Sequence, residues 1–268
     1  AGGTVFTVEN GAIVSIKKNG EERLTSPVMP NFFRATIDND ALPQVPRFVA
    51  DIFMGTSRYK NAIKTLKAVK TSCELREDKV FMHIKWKMRT LKSLETVYVF
   101  DGEGGIDMTM NVRPCKSMER YGFTFRLAKG VDGMKFYGKG PHENYCDRAT
   151  AAKLGLYEGK AEDFIHDYLY PQENGDHTGV RYAEIGAGKG VKINAVGAPF
   201  ELTVHPYTTM ALHEAKHSCE LERDDRLTVS IDGKQRGVGG DVPAMACTKP
   251  HYDILPGHTH TLHVRLTF

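Results

Sequence analysis

Apolar and polar residues alternate over short segments along most of the chain. Residues 5–9 and 12–16 both alternate in this way, and Asn10-Gly11 lies between them. Asn-Gly between two alternating segments predicts a β-hairpin closed by a two-residue turn. A second such pair, Asn19-Gly20, follows the second segment. The period of two predicts antiparallel strands with one apolar and one polar face.

The same pattern predicts most of the remaining chain to be strands. The predicted strands are residues 79–88, 94–100, 106–112, 121–127, 133–137, 190–196, 200–204, 227–231 and 259–268. Only residues 209–216 and 46–55 favour short helices. Because strands do not alternate with long helices, a parallel βαβ sheet is disfavoured. We predict an all-β protein, an antiparallel sandwich or barrel with few short helices, forming a single domain over residues 1–268.

Composition places the chain among ordinary globular proteins. Of its 268 residues, 41% are hydrophobic and 26% are charged. The formal net charge of +3 is close to balance, so neither nucleic acid nor an anionic membrane is an expected partner. The lysines of residues 60–70 are interpreted as a solvated face.

The cysteines and the apolar segments exclude several further classes. The five cysteines are widely spaced and contain no C-x-x-C pair, which disfavours zinc ribbons and thioredoxin chemistry and predicts buried free thiols. No apolar segment reaches the roughly 20 residues of a membrane-spanning helix. The first four residues lack the features of a signal peptide and are interpreted as lying inside a longer chain. The compartment, cytoplasmic or periplasmic, stays open.

Polar, glycine-rich residues gather in three segments. These are residues 138–148, 171–182 and 231–241. Loops of this kind on a rigid sheet often carry binding groups, and carboxylate, amide and guanidinium groups can bind sugar hydroxyls. In the alternative, which we favour from spacing alone, carboxylates such as Glu143, Asp147 and Glu173 pair with arginines and hold the loops together.

Other kinds of site fit these segments less well. Gly138-Lys139-Gly140 begins like a dinucleotide-binding G-x-G-x-x-G motif, but position 143 is glutamate. Glu143 and Glu173 could serve as the carboxylate pair of a retaining glycosidase only if they lie about 5–5.5 Å apart, which the sequence leaves open. The eleven histidines form no H-E-x-x-H motif, and those of residues 258–263 alternate as in a strand, which disfavours a metal site.

Six segments, in order along the chain, resemble one known family. They are FTVENGAIVSI (6–16), PNFFRATIDND (30–40), YGKGPHENYCDR (137–148), YPQENG (170–175), VRY (180–182) and IDGKQRGVGGD (231–241). Together they resemble the C-terminal small-chain domain, domain 5, of lac-type β-galactosidases of glycoside hydrolase family 2. Each motif is modest alone, and their shared order makes the resemblance specific.

The resemblance implies a β-supersandwich of the galactose-mutarotase-like type, within a parent enzyme that hydrolyses terminal β-D-galactosides with retention. Both catalytic glutamates then lie on a separate TIM barrel, so no catalytic residue is expected in this chain, and the isolated chain is expected to be inactive. The expected partners are the β-galactoside, the remainder of the parent enzyme and, in a homo-oligomer, further copies of the parent.

The resemblance also implies which residues and ions belong to the site. No cofactor is expected in this chain itself, because the barrel mainly holds the magnesium ion. Some family members bind sodium through main-chain carbonyls, at positions similar to Tyr170, Pro171, Leu212 and Ala215. Ala244 replaces a tryptophan that walls the sugar pocket in many members, which removes a stacking surface and puts lactose specificity in doubt. The residues expected to contact substrate are Asp241, Ala244, His142, Glu143, Arg148, Glu173, Asn174 and Arg181.

Three alternatives stay open beside an accessory hydrolase domain, the last of them a purely structural domain whose isolated chain binds no ligand measurably. The first is a carbohydrate-binding module without catalysis, in which residues 138–148 and 171–181 line a concave sheet face. The second is an aldose epimerase of the mutarotase type. It needs a general acid and a general base facing each other, drawn from His142, His177, His205, Glu143 and Glu173.

Overall fold

Two large antiparallel sheets make up the fold. The structure, a computed structural model, describes residues 2–40, 58–239 and 248–268. In spatial order, the first sheet contains β1 (Thr4–Glu9), β2 (Ala12–Lys18), β4 (Leu24–Asn31), β9 (Arg120–Leu127), β16 (Thr228–Gln235), β15 (Phe200–His205) and β12 (His177–Val180), with β3 (Glu21–Glu22) beside β2. The second contains β11 (Lys153–Gly159), β10 (Met134–Gly140), β13 (Tyr182–Ile185), β14 (Val191–Ala195), β17 (His260–Thr267), β8 (Gly105–Pro114), β7 (Leu91–Phe100), β6 (Lys79–Lys87) and β5 (Lys67–Arg76).

Helices are few and short among the described residues. There are two α-helices, α1 (Arg58–Ile63) and α2 (Thr209–Glu214). There are also four short 3₁₀ helices, at Asp38–Asp40, Ala161–Phe164, Ser218–Glu220 and Pro250–Tyr252. None of the helices in the described ranges has the length and apolar character needed to cross a membrane. The helix predicted over residues 209–216 is confirmed, whereas the one over residues 46–55 lies outside the described residues.

The two predicted Asn-Gly turns close the first strands as expected. Asn10 and Gly11 have φ values of 49° and 82°, and Asn19 and Gly20 have 51° and 85°. A two-residue turn that matches the twist of a hairpin needs positive φ at both positions, which asparagine and glycine tolerate best. The alternation on either side of Asn10-Gly11 therefore forms β1 and β2 in antiparallel register.

The sheets pack face to face through aromatic side chains. Tyr98 of β7 lies 6.2 Å from Phe123 of β9, and Phe6 of β1 lies 5.0 Å from Phe100 of β7, as ring-centroid distances. Residues of both sheets belong to one continuous buried cluster. The expectation of an antiparallel, two-layer all-β fold is confirmed.

The polar segments contain more β-strand than their composition indicates. Residues 138–140 end β10, residues 177–180 and 182–185 form β12 and β13, and residues 231–235 belong to β16. Sheet pairing overrides polar composition here, because Asp232 and Gln235 point into a buried polar layer rather than into water.

The prediction of buried thiols is wrong for the described residues. Cys73, Cys115 and Cys219 are exposed and Cys146 is half-buried, all as free thiols. Cysteine is usually buried, but Cys73 lies on the exposed edge strand β5, and Cys115 and Cys219 lie outside the strands of both sheets. Cys247 lies outside the described residues.

Candidate functional site

Loops at one edge of the first sheet meet around Glu143. Its carboxylate accepts hydrogen bonds from the Gly175 backbone N–H (2.6 Å) and the Tyr168 hydroxyl (2.6 Å), and it forms an ion pair with Arg148. Arg148 also donates to the Tyr168 hydroxyl at 3.3 Å. Burial and the hydrogen bond to Glu143 raise the pKa of Tyr168, so its phenol stays protonated at neutral pH. The Glu143, Arg148 and Tyr168 side chains form a polar cluster, called here the Glu143 cluster.

The Glu143 cluster separates two open depressions in the surface. The larger, about 480 Å³, is lined by Gly140, His142, Glu143, Asn144, Arg148, Ala151, Ala152, His166 and Tyr168. The smaller, about 170 Å³, is lined by Ile37, Asp38, Asn39, Tyr145, Arg148, Tyr168, Gln172, Glu173 and Val238. Arg148 and Tyr168 face both depressions. Aromatic surface, a guanidinium group and carboxylates together suit a ligand rich in hydroxyl groups.

Hydrogen bonds hold residues 236–239, which precede residues 240–247, beside the smaller depression. The Asp147 carboxylate accepts hydrogen bonds from the backbone N–H groups of Val238 (3.1 Å) and Gly239 (2.7 Å). The fully buried Arg34 donates to the carbonyl groups of Arg236 and Gly237. These contacts fix the position of residues 236–239, which precede Asp241 and Ala244 in the chain.

A second anchor joins residues 38–40 to the same segment. The Asp40 carboxylate accepts from Arg236 at 2.6 Å and lies 3.5 Å from Arg34. Burial acts to raise the pKa of Asp40, but the charges of Arg34 and Arg236 outweigh burial and hold it below its usual value. Asp40 therefore stays ionised and keeps both arginines in place.

Asn144 fixes the loop that follows β10. Its side-chain oxygen accepts from the Thr178 N–H (3.0 Å) and hydroxyl (2.6 Å). Its side-chain NH₂ donates to the carbonyl groups of Lys139 (2.9 Å) and His142 (3.1 Å). All four hydrogen bonds are made by the Asn144 side chain, and Asn144 is 1% exposed.

Replacing Asn144 with leucine is expected to destabilise the fold by about 2–3 kcal/mol, because buried donors and acceptors lose their partners. Urea unfolding monitored by tryptophan fluorescence measures this, since Trp86 is buried in β6. Asn61→Leu, at an exposed position of α1, is the matched control and is expected to change stability by under 0.5 kcal/mol, the usual limit at surface sites. Equal effects of the two changes would show that the four hydrogen bonds do not hold the loop.

Beneath these loops lies a buried ionic network on the face of the first sheet that points away from the second sheet. Arg120 of β9 donates two hydrogen bonds of 3.1 Å from Nε to Asp232 of β16 and pairs with Glu173 at 3.3 Å. The second Glu173 oxygen accepts the Ala35 backbone N–H at 3.2 Å. All three charged side chains are 1% exposed or less. The network ties β9, β16 and the 171–175 loop together.

More carboxylates than cations surround this network. Burial raises the pKa of Glu201 to about 8 and that of Asp232 to about 6, and it raises the pKa of Asp176 well above its usual value. Thr203 donates to one Asp176 oxygen at 3.1 Å. Within the described ranges the other Asp176 oxygen and the Tyr145 hydroxyl have no hydrogen-bond partner. The pKa shifts indicate that this layer holds protons at neutral pH.

The structure brings some of the predicted site residues together and separates others. His142, Glu143 and Arg148 line the larger depression. Glu173 lines the smaller depression although it is buried, and the buried Asn174 holds its loop by donating to the Gln172 carbonyl at 3.0 Å.

Arg181 lies apart from the other predicted residues. Its guanidinium group sits 5.9 Å from the centre of the Tyr137 ring, outside both depressions. Asp241 and Ala244 lie outside the described residues.

Glu143 and Glu173 are both committed to structural contacts. Glu173 pairs with Arg120 and accepts from Ala35, and Glu143 accepts from Gly175 and Tyr168. A nucleophile or acid/base must reach the substrate, and only 1% of the Glu173 side chain is exposed. These contacts favour the interpretation in which the carboxylates hold the loops in place.

The histidines considered for epimerase chemistry are also engaged. His205 is buried, and its Nε2 bonds the Asn174 carbonyl at 2.9 Å. His177 is buried, with Nδ1 3.2 Å from the Lys139 carbonyl, and burial lowers its pKa to about 4. Neither ring faces the two depressions, so His142 alone of the three is open to a ligand.

Sequence reasoning missed several residues that shape the site. Tyr168 and the pair Asp38 and Asn39 line the depressions, but none belongs to a segment chosen for its polar composition. The resemblance did include residues 38–40, which could have indicated their role. No sequence signal distinguishes Tyr168, because it reaches Glu143 from 25 positions away.

Comparison with known proteins supports the fold. A solved structure, the galactose 1-epimerase from Lactobacillus acidophilus NCFM, superposes with a TM-score of 0.54 at 10% identity, covering 99% of this chain and 91% of that one. At this identity the similarity is evidence of fold alone. The fold is therefore galactose-mutarotase-like, as the resemblance implies.

Sequence comparisons identify the relatives. A β-galactosidase from Priestia megaterium is 30% identical over 262 residues, and one from Halalkalibacterium halodurans is 30% identical over 247 residues. These alignments cover 96% and 88% of this chain but only 25% and 24% of the relatives, so the chain spans about a quarter of their length. The family model of the β-galactosidase small chain matches residues 3–266. The chain therefore belongs to the β-galactosidase small-chain family.

Proposed function

We propose that this chain is the C-terminal domain of a parent β-galactosidase and completes the β-galactoside site of that enzyme. The catalytic glutamates lie in the remainder of the parent, on the TIM barrel that the family resemblance implies. This domain supplies the loops around the two depressions and the segment carrying Asp241 and Ala244. The isolated chain does not hydrolyse galactosides.

The observation that carries the proposal is the convergence of four segments on Arg148 and Tyr168. Residues 38–40, 138–148, 168–175 and 236–239 meet there on a rigid base of buried ion pairs. Exposed polar groups held on such a base are preorganised for binding, because little order is lost when a ligand arrives. Half of the Arg148 side-chain surface is exposed, which leaves its remaining donors available.

The proposed sodium site of this domain is formed by main-chain carbonyl oxygens. Leu212 and Ala215 lie at the end of α2, where carbonyl groups lack intrahelical partners, and such oxygens suit a hard cation like sodium. The Tyr170 carbonyl already accepts a hydrogen bond from Gln172 at 3.5 Å. Sodium would be held by the carbonyls of Tyr170, Pro171, Leu212 and Ala215, and magnesium by the remainder of the parent.

The test is Arg148→Ala in the full parent enzyme. Loss of charged hydrogen bonds to the substrate costs about 1.5–3 kcal/mol, so kcat/KM for a β-galactoside should fall by about tenfold or more. Steady-state kinetics on a chromogenic galactoside measures this.

Arg181→Ala is the matched control, because Arg181 lies outside both depressions. It is expected to leave kcat/KM unchanged. An Arg148→Ala enzyme with normal kinetics, or equal losses for the two arginines, would refute the proposed role of these loops.

A further inference from the structure

Asp176 joins the loops of the candidate site to the first sheet. Its backbone carbonyl accepts the Asn144 N–H at 2.7 Å, and the residue before it, Gly175, donates to Glu143. Its side chain reaches the sheet, where Oδ1 accepts a hydrogen bond of 3.1 Å from the Thr203 hydroxyl of β15. Asp176 is 0% exposed. The Asp176 side chain therefore ties the Glu143 cluster to the sheet beneath it.

The other oxygen of this carboxyl group has no hydrogen-bond donor. Among the residues that the structure describes, Oδ2 of Asp176 has no partner, and it is closed to solvent. The Thr203 hydroxyl, which donates to Oδ1, itself accepts from Nε2 of Gln235 at 3.4 Å. Oε1 of the same Gln235 side chain is also buried without a partner in these ranges. Two groups that contact one hydroxyl thus each keep an unpaired acceptor.

The charges around Asp176 oppose its ionisation. The charged or titratable side chains that surround it are Arg120 of β9, Asp232 of β16, Glu201 of β15, Glu173 of the 171–175 loop, and Tyr145 and Cys146 of the loop after β10. In the described part of the chain, Arg120 donates to Asp232 and Glu173 rather than to Asp176.

An ionised Asp176 would add a further carboxylate to this layer, with one oxygen that receives no hydrogen bond. Such a group is costly where water cannot reach it. Burial, followed by the charges of Glu201 and Asp232, raises the pKa of Asp176 well above its usual value. The hydrogen bonds and the surrounding charges therefore both favour the neutral acid.

We propose that Asp176 is a positioning residue, which holds the loops of the candidate site through a proton that its carboxyl group keeps in the folded protein. The proton lies on Oδ2 and turns this oxygen into a donor, for which the unpaired Oε1 of Gln235 is the acceptor. This proton is additional to the one that Glu201 carries. The role rests on the proposed function, because the loops that Asp176 holds carry Glu143 and Arg148.

A second arrangement would supply a donor without this proton. The Tyr145 hydroxyl is buried and has no partner in the described ranges, so it could donate to an ionised Asp176 if the two groups moved together. That arrangement leaves Oε1 of Gln235 unpaired and keeps the negative charge in the layer. The proton removes the charge and satisfies both oxygens, and for this reason we choose it.

Asp176→Asn tests the proton, because the amide has the shape of the neutral acid and donates a hydrogen bond without titrating. In the unfolded chain Asp176 has its ordinary pKa of 3.8, whereas the folded chain keeps the proton to higher pH. The stability contributed by the proton is therefore complete below pH 3.8 and is lost as the pH rises. Asp176→Asn should be more stable than the unmodified chain at pH 7. The ratio of the two unfolding constants should grow about tenfold per pH unit from pH 5 to 7.

Urea unfolding of the 268-residue chain, followed by Trp86 fluorescence, measures this ratio. Asp78→Asn makes the same change at an exposed turn and should alter the unfolding constant by less than about twofold. A less stable Asp176→Asn chain at pH 7, or a ratio that stays constant with pH, would overturn the proposal. Added loss of stability on Tyr145→Phe would then assign the missing hydrogen bond to the tyrosine.

Kinetics of the full parent enzyme test the positioning role. Asp176→Ala removes the tie and should lower kcat/KM for a β-galactoside by about fivefold or more, mainly through KM, and Asp176→Asn should recover most of this loss at pH 7. Normal kinetics for Asp176→Ala, or a loss that asparagine does not recover, would overturn the role. If the alanine variant does not fold, the unfolding ratio of Asp176→Asn still decides. Arg148→Ala in the same assay reports on the proposed function itself, so the two failures can be told apart.

Discussion

Replacing Arg120 with methionine is expected to destabilise the domain by about 3–5 kcal/mol, the largest effect of any single change considered. Arg120 is the cation that both Asp232 and Glu173 contact in the buried layer. Removing it leaves two carboxylates without a counter-charge in a region that water does not reach. Urea unfolding at pH 7 measures the loss.

Two controls separate the charge effect from the change of side chain. Arg113→Met, at an exposed position of β8, is expected to change stability by less than 0.5 kcal/mol. Combining Arg120→Met with Asp232→Asn and Glu173→Gln should recover part of the lost stability, since the neutral amides need no counter-charge. If Arg120→Met costs no more than Arg113→Met, the buried network does not support the loops.

The second large effect is a loss of stability as the pH rises from 6.5 to 8. Burial raises the pKa of Glu119 and of Glu201 to about 8, from an ordinary value of 4.5. The folded state therefore keeps protons that the unfolded chain has released. The stability contributed by these protons is complete below pH 4.5 and is lost as the pH rises through 8.

The buried histidines define the lower limit of this pH window. Burial lowers the pKa of His177 to about 4 and also lowers that of His205. They remain neutral in the folded state, so below pH 6.5 they make stability rise with pH, whereas the carboxyl groups make it fall. Above pH 6.5 the histidines no longer contribute, and two protons at about 1.4 kcal/mol per pH unit each, partly released by pH 8, give a fall of about 3 kcal/mol.

Unfolding free energies of the unmodified chain and of Glu201→Gln, measured from pH 6.5 to 8, test this account. The amide oxygen can still accept the Gln235 N–H that Glu201 accepts. Glu201→Gln should flatten the pH dependence and be more stable than the unmodified chain at pH 8. Glu222→Gln, at an exposed position, should retain the full slope. Stability that rises between pH 6.5 and 8 would contradict the raised pKa values.

The sequence pattern predicts the sheets well because their signals are local. The Asn10-Gly11 turn and the alternation of residues 106–112 contain all the information needed for β1, β2 and β8. By contrast, β5 carries many polar residues on both faces, so a period of two could not identify it. Its strand form comes from its pairing with β6.

The site is less predictable, because its contacts join distant parts of the chain. Arg120 meets Asp232 from 112 positions away, and Arg34 reaches Gly237 from 203 positions away. No spacing rule relates such residues. The composition of residues 138–148 did identify Glu143 and Arg148, whereas Arg181, between β12 and β13, lies over the Tyr137 ring and outside both depressions.

The central claim is that this domain completes a β-galactoside site and performs no chemistry alone. Mixing the purified chain with a parent enzyme truncated to lack it, and following β-galactoside hydrolysis, tests that claim most directly. We expect no hydrolysis and no anomer interconversion by the chain alone, and activity that appears only when both parts are present. Full activity of the truncated parent, or hydrolysis or anomer interconversion by the chain alone, would contradict it.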